Sequence, residues 1–404
     1  MINIIGLGYI GLPTALMLAA NGNEVIGVDY NKELLRTLQN RQVTFEEPGL
    51  EELFEEALQM GIKFEEKYSQ TDFYIITVPT PYDKVNKKID ASYVVAAVKE
   101  VLTVCKKGTI LVIESTVSPG TIDNYVRPVV EAADFKIGED IHLVHAPERI
   151  LPGQMIKELC TNSRTIGADD PKIAERVKEV YASFCKAEIA TTDIRTAEMS
   201  KVVENTFRAV NIAFANELTK IARYDNLDIY EIIKISNMHP RVNILNPGPG
   251  VGGHCIPVDP WFLVGDYPRL TPLISTALDI NESMPELVLL RIHDIMKENN
   301  ITDRNKVGIY GITYKPDVDD IRESPTMQLF EKMELNFSTA FSVYDPMISQ
   351  KKVESQKLDF DEFLSELEIV VIMQGHSHIK ENLEKIKGKL ILDTQNIIDE
   401  AYKL

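Results

Sequence analysis

One cysteine sits where covalent chemistry is feasible. In Gly252-Gly253-His254-Cys255-Ile256-Pro257-Val258-Asp259 a thiol follows paired glycines, which let a ligand approach the backbone, and a carboxylate follows one turn later. A thiolate in such a loop can attack an aldehyde carbon and hold it while hydride leaves. A lone cysteine is more often a small apolar core side chain, and Cys105, Cys160 and Cys185 are read that way. The polar, glycine-rich setting separates Cys255 from them. His254 either pairs with this thiol or is a loop histidine. A hydride acceptor is suggested near the start of the chain. Gly6-Leu7-Gly8-Tyr9-Ile10-Gly11 follows a short apolar run and opens a helical pattern, the context that makes a GxGxxG string a dinucleotide fingerprint. Gly6 permits the tight turn, Gly8 leaves room for the pyrophosphate, and Gly11 lets the helix pack close to the strand. Asp29 closes the next apolar run. A carboxylate there accepts the ribose hydroxyls and repels a 2′-phosphate, so the expected cofactor is NAD rather than NADP. Lys201 and Asn205 lie four apart on one helical face, Lys201 roughly 200° round from Met199. Helical geometry alone leaves open whether that pair is catalytic or part of a solvated face.

Those groups need sizeable domains to position them. The 404 residues suffice for about two to three domains with cores that need no disulfide or metal. An apolar content of 44% and a charged content of 26% exclude a disordered or collagen-like chain. Forty-three Lys and Arg against 61 Asp and Glu give a net charge of −18, which argues against nucleic acid or a membrane surface as partner. A small anionic ligand stays compatible with a local cluster of Arg and Lys. The cysteines are far apart and form no C-x-x-C pair, so reduced thiols in a cytoplasmic protein without a metal site are expected. No leader pattern and no long apolar run suggest secretion or a membrane span.

Apolar runs at 2–5, 24–29, 73–78, 109–114 and 141–145 alternate with helical patterns such as 12–21 and 91–104, which predicts parallel βαβ units. From Ala197 onward, Met199, Val203, Phe207, Val210, Phe214, Leu218 and Ile221 step by three or four. One long helix follows, whose stripe must be covered by other helices or by a second subunit. Helical patterning resumes after Asn246-Pro247-Gly248-Pro249-Gly250 and runs to about Lys297; strands return at 306–311, 341–344, 368–373 and 389–393. The expected architecture is α/β. Two Rossmann-like doubly wound parallel-sheet domains, 1–190 and 298–404, are joined by a central helical dimerisation domain, 191–297.

At this point the chain resembles a known family. Val78-Pro79-Thr80-Pro81, Glu114-Ser115-Thr116-Val117, Ala146-Pro147-Glu148-Arg149, the Cys255 loop, Gly311-Ile312-Thr313-Tyr314-Lys315-Pro316-Asp317 and Arg322-Glu323-Ser324-Pro325 occur in the order found in UDP-glucose/GDP-mannose dehydrogenases. The resemblance implies four-electron oxidation of a sugar hydroxymethyl group to a carboxylate, with two NAD per turnover. Cys255 matches the nucleophile, and Lys201 the lysine that moves protons and stabilises the oxyanion. Asn205 matches the residue that orients that charge. Asp259, Thr116 and Glu148 match residues that hold or activate water and shuttle protons. For NAD the resemblance adds Tyr9, Ile10, Thr80, Thr116 and Arg322 to the glycines and Asp29. For the UDP-sugar it implies Glu148, Arg149, Ile150, Lys201, Asn205, Arg208, His239, Arg241, Gly252, Tyr314 and Lys315. In relatives, the segment matching His239 and Arg241 reaches a neighbouring subunit's site, so a homodimer or larger homo-oligomer through the central helix is expected. Taken by itself, Glu148 also reads as a loop carboxylate paired with Arg149.

Two departures bear on the substrate. UDP-glucose dehydrogenases commonly read GGSCFPKD at the cysteine loop, where this chain has His254 and Val258 in place of the serine and the lysine. After Pro-Glu they carry Phe-Leu, where this chain has Arg149-Ile150-Leu151-Pro152-Gly153. Both changes resemble the branch that oxidises UDP-N-acetylmannosamine for surface polysaccharides, and a guanidinium at Arg149 or Arg241 suits an acetamido carbonyl. UDP-N-acetylglucosamine and UDP-glucose are the rival substrates. A two-electron hydroxyacid dehydrogenase would have no use for Cys255, and a non-catalytic nucleotide-binding protein would have none for Lys201, Asn205, Cys255 and Asp259 together.

Overall fold

The Val- and Ile-rich runs form strands of the expected extent or slightly shorter, in a computed structural model that describes residues 1–335 and 341–404. Two units are resolved, Met1–Glu204 and Asn205–Leu404, and the division falls inside one helix, Ile194–Tyr224.

The strands of the first unit are β1 (Ile2–Ile5), β2 (Val25–Val28), β3 (Lys63–Glu65), β4 (Phe73–Ile76), β5 (Tyr82–Asp83), β6 (Lys88–Ile89), β7 (Thr109–Ile113), β8 (Ile141–His145), β9 (Arg164–Ala168) and β10 (Ile189–Thr192). Eight of them form one sheet in the order β10-β9-β8-β7-β4-β1-β2-β3; β5 and β6 pair separately. Strand order reverses between β1 and β4, and an open α/β sheet binds ligands in the crevice beyond the carboxyl ends of strands at such a switch. β1, β2, β4 and β7 are buried along their whole length, as strands covered by helices on both faces must be. Three strands of this sheet, and the short β5–β6 pair, were not evident from the sequence. β3 and β10 are partly exposed edge strands, and β9 begins with Arg164, so none reads as a continuous apolar run. One pair departs from parallel: β8 and β9 run antiparallel, Val144 opposite Ala168 and His145 opposite Gly167. Residues 146–163 return at the same end of the sheet instead of crossing it, and an antiparallel neighbour follows.

In the second unit β11 (Val307–Tyr310), β12 (Ser342–Tyr344), β13 (Ile369–Ile372) and β14 (Leu390–Asp393) form a parallel sheet in the order β12-β11-β13-β14. Its switch point lies at β11, so the loop that follows, bearing Tyr314 and Lys315, stands at the ligand-binding edge. Helices Asp259–Asp266 and Pro272–Glu298 supply the helical patterning before it.

The long helix is turned the other way from a core helix. None of the seven stripe residues from Met199 to Ile221 is buried; Val203, Phe207, Phe214 and Ile221 are 47%, 65%, 51% and 53% exposed. The buried face is small and polar, with Ala197, Glu198, Lys201, Asn205, Ala209, Ala213, Asn216 and Thr219. Of the two covers the sequence allowed, other helices of this chain provide only a partial one: Leu218 packs against Ile229 and Ile233, whereas Val203, Phe207, Phe214 and Ile221 stay exposed.

Candidate active site

The glycine loop is built to receive a phosphate. Gly6 has φ +92°, the turn conformation that disfavours other residues. A Cβ on Gly11 would lie 1.8 Å from the Gly6 carbonyl oxygen and 2.3 Å from the Thr77 hydroxyl, so only glycine fits. A Cβ on Gly8 would meet nothing within 4 Å, which leaves space above the loop. Helix Gly11–Ala20 follows with no side-chain cap at Ile10 and no acidic residue in its first turn. The Leu12 N–H already bonds the Gly8 carbonyl at 3.0 Å and Pro13 carries no N–H, so it is chiefly the positive end of the helix dipole that is offered to an anion. Asp29 holds the loop in place, accepting the Leu7 N–H at 2.8 Å on one oxygen and the Asn31 N–H at 2.8 Å on the other. A carboxylate oxygen has a second lone pair for a ribose hydroxyl. Tyr9, 38% exposed, packs against Phe45 beside the loop with ring centroids 4.5 Å apart. The Thr80 hydroxyl donates to the Thr116 carbonyl at 2.7 Å, and the Ser115 hydroxyl to the Val78 carbonyl at 2.6 Å. These bonds tie together the loops after β4 and β7. The arrangement fits NAD, whose pyrophosphate Gly6–Gly11 would cradle and whose ribose Asp29 would hold.

Beyond the carboxyl end of β8 lies a buried ionic cluster that sequence reasoning missed. Glu148 does not pair with the Arg149 guanidinium. Its Oε2 accepts from Arg164, and its Oε1 accepts the Arg149 backbone N–H at 2.6 Å. Arg164 also donates to Glu114 Oε1 at 3.0 Å. The Arg149 guanidinium faces away, bound to the Ser163 carbonyl and hydroxyl, the Thr165 hydroxyl and Glu204. Only its Nε–H lacks a partner among the described residues. Ile150 is buried, and Glu47 anchors the same loop by accepting the Gly153 and Met155 N–H groups at 2.7 Å each. His145, fully buried, bonds the Ile113 carbonyl through Nδ1; burial, with Lys201 nearby, pushes its pKa down to about 3 despite that bond. Glu198 accepts N–H groups from Gly120 and Ile122, and burial pushes its pKa up to about 7 against them. Lys201 is buried on that same helix, so it is not part of a solvated face.

The cysteine loop adjoins a buried polar pair. Asn205, buried one turn beyond Lys201, donates from Nδ2 to Asp259 Oδ2 at 2.6 Å. Asp259 begins helix Asp259–Asp266, and its N–H reaches back to the Cys255 carbonyl at 2.8 Å. Cys255 therefore stands in the turn that opens this helix, partly exposed and outside any disulfide, where the helix dipole favours negative charge. The glycine pair has a different reason from the one expected. A Cβ on Gly252 would sit 2.6 Å from Tyr314 Cβ and 2.8 Å from the Glu323 carbonyl oxygen; one on Gly253 would sit 2.9 Å from Tyr314 Cε2. The close approach is thus to this chain's own Tyr314, with the Gly253 N–H donating to the Arg322 carbonyl at 2.9 Å. The loop bearing Tyr314 and Lys315 is itself pinned. Asp345 accepts from the Ile312 and Thr313 N–H groups at 2.7 and 3.0 Å, His376 Nδ1 accepts the Asp317 N–H at 2.9 Å, and Gln374 donates to the Tyr314 carbonyl at 3.1 Å. The Arg322 guanidinium bonds Asp320. Arg208, His239 and Arg241 are exposed.

Comparison with known proteins accounts for both halves. The NAD binding, central and UDP binding domains of the UDP-glucose/GDP-mannose dehydrogenase family match residues 1–185, 195–283 and 308–400. A Methanococcus maripaludis protein named UDP-N-acetyl-D-mannosamine dehydrogenase is 41% identical, over 98% of this chain and 93% of its own length. The solved UDP-N-acetyl-mannosamine dehydrogenase Cap5O from Staphylococcus aureus is 43% identical, covering 99% of this chain and 95% of that one with a TM-score of 0.88. The UDP-D-ManNAc dehydrogenase from Pyrococcus horikoshii is 35% identical, covering 99% and 96% with a TM-score of 0.91. No helix among the described residues is long and apolar enough to cross a membrane. With all three domains of one family present in order, and similarity along nearly the whole of both chains, the protein belongs to the UDP-glucose/GDP-mannose dehydrogenase family and is an NAD-dependent nucleotide-sugar dehydrogenase.

Proposed function

We propose that the protein oxidises UDP-N-acetyl-D-mannosamine at C6 to UDP-N-acetyl-D-mannosaminuronate, a precursor for surface polysaccharide made in the cytoplasm. The observation that carries a four-electron reading is the partly exposed Cys255 beside the buried Asn205–Asp259 pair. A two-electron dehydrogenase gains nothing from a thiol so placed. For the sugar, support comes from His254, Val258 and the Arg149–Gly153 segment, and from the names of the relatives.

Two NAD molecules, bound one after the other, would each supply the acceptor for one hydride. Lys201 receives the proton of the C6 hydroxyl or stabilises the oxyanion, and Asn205 fixes the direction of that charge. The Cys255 thiolate adds to the aldehyde carbon, forming a carbon–sulfur bond and a thiohemiacetal, so the reactive aldehyde never leaves. Loss of the second hydride leaves a thioester. Water, held by Asp259, Thr116 and Glu148, adds to it; the carbon–sulfur bond breaks, releasing the carboxylate and restoring the thiolate. Gly6, Gly8, Tyr9, Ile10, Gly11, Asp29, Thr80, Thr116 and Arg322 serve NAD. Arg149, Ile150, Gly252, Tyr314 and Lys315 serve the UDP-sugar. Arg208, on the long helix, also serves the UDP-sugar, and His239 and Arg241, exposed in the single chain, act across a homo-oligomer formed by the apolar face of that helix. The division into 1–190, 191–297 and 298–404 belongs to this reading.

The test is a panel of UDP-N-acetylmannosamine, UDP-N-acetylglucosamine and UDP-glucose with NAD. The first is expected to be turned over at least tenfold more efficiently by kcat/KM than either rival. Brisk activity on UDP-glucose alone contradicts the assignment.

A further inference from the structure

The buried charges around Glu148 do not balance, and the imbalance assigns work to two residues outside the mechanism above. Because β9 runs antiparallel to β8, continuing the register from His145 opposite Gly167 brings Arg164 level with Glu148. Arg164 is 3% exposed, and its guanidinium forks, one nitrogen to Glu114 Oε1 at 3.0 Å and the other to Glu148 Oε2. Its face lies over the Tyr181 ring, 4.3 Å from the centroid, and Phe184 lies 5.4 Å away. The guanidinium is therefore held in one plane, with little freedom to follow either acid.

Two carboxylates share that one cation in a volume closed to water. Glu148 has a second donor, the Arg149 N–H at 2.6 Å, whereas Glu114 Oε2 has no partner among the described residues. The less solvated acid holds a proton more readily. Burial pushes Glu114 up to about 7, Glu148 reinforcing the shift and Arg164 and the neighbouring Tyr181 hydroxyl opposing it. The titratable and charged groups facing this pair are Arg164 on β9 and Tyr181 on helix Pro171–Ala182.

We propose that Arg164 and Glu114 are positioning residues for Glu148, Arg164 fixing the direction of its carboxylate and Glu114 competing with it for the same guanidinium. This rests on the reading of Glu148 as a group that handles water and protons. With Glu114 neutral, the whole charge of Arg164 faces Glu148; with Glu114 ionised, that charge is divided.

The pH profile of kcat for holoenzyme turning over UDP-N-acetylmannosamine distinguishes this from a merely structural role. E114Q keeps the shape and an acceptor for Arg164 but removes the competing charge. It should move the acidic limb of kcat down by at least half a pH unit, with KM within twofold of wild type. R164K replaces a fork by a point charge that cannot serve both acids. It should lower kcat tenfold or more and move the acidic limb up, with KM within threefold. An E114Q profile that superimposes on wild type overturns the proposal, and E114Q alone decides the matter if R164K does not fold. E148Q separates the two layers. If it keeps full activity, the reading of Glu148 fails and the proposal with it; if it is inactive while E114Q leaves the profile unmoved, only the proposal fails.

Discussion

Cys255, Gly253 and Glu148 show how far single residues can be read without coordinates. The Cys255 loop announced itself through its glycines, yet the space those glycines leave is filled by Tyr314. Nothing in the string Gly252-Gly253 says which atom approaches, because that partner is 61 positions away and is set by tertiary packing. Gly253 combines φ +90° with a ring carbon 2.9 Å from where a Cβ would stand. Gly253→Ala should therefore destabilise the protein by about 1–3 kcal/mol, measured by urea unfolding, and should lower turnover by displacing the thiol. Adding Tyr314→Ala removes the ring contact and should recover part of that stability, the backbone strain remaining. A Gly253→Ala protein as stable as wild type would refute this account of the loop. Glu148 was legible through its motif, but its true partner was not. Arg164 opens a strand of mixed polarity, and only the antiparallel register brings it level with Glu148. Arg149, adjacent in sequence, was the obvious candidate and is used elsewhere.

Among the elements, alternating apolar runs located the buried strands because strands covered on both faces leave no alternative to Val, Ile and Leu. Edge strands β3 and β10 escaped because they carry exposed polar residues. The long helix carries the larger lesson. Its three-to-four periodicity fixed the helix, but periodicity cannot tell a stripe that meets the core from one that meets another molecule. Its inner face is instead lined by alanine and by side chains that bond across helices, as Asn216 Nδ2 does to Asn281 Oδ1 at 2.9 Å. Small residues there let the neighbouring helix approach, so the large apolar residues are left outside, where exposed apolar stripes mark interfaces. Phe207 and Phe214 are 65% and 51% exposed, and covering such a side chain is worth about 1.5–3 kcal/mol. Phe207→Asp and Phe214→Asp should each shift the protein from dimer or larger to monomer at micromolar concentration, read by light scattering after size exclusion. A wild-type protein that is monomeric under those conditions would contradict the proposed oligomer.

Across the whole molecule, a net charge of −18 argued against polyanionic partners, and the chain nonetheless provides local sites for phosphates. The glycine loop uses backbone N–H groups and a helix dipole, which need no net positive charge. Several cations that suit a diphosphate are held in place by acids of the same chain, as Arg322 is by Asp320. The alternation of strands and helices and the order of six motifs made the two sheets and their ligand-binding edges legible. Which arginines face inward was not, because a guanidinium's direction depends on acids that lie far off in sequence.

The central claim is that one thiol lets a single enzyme remove hydride twice from the same carbon. The direct measurement is NADH formed and uronate released per UDP-N-acetylmannosamine consumed, for wild type and Cys255→Ser side by side. The account predicts two NADH and one uronate for wild type, and at most one NADH with no appreciable uronate for the variant. One NADH per sugar with persistent aldehyde from wild type, or two NADH from the variant at the wild-type rate, would contradict it.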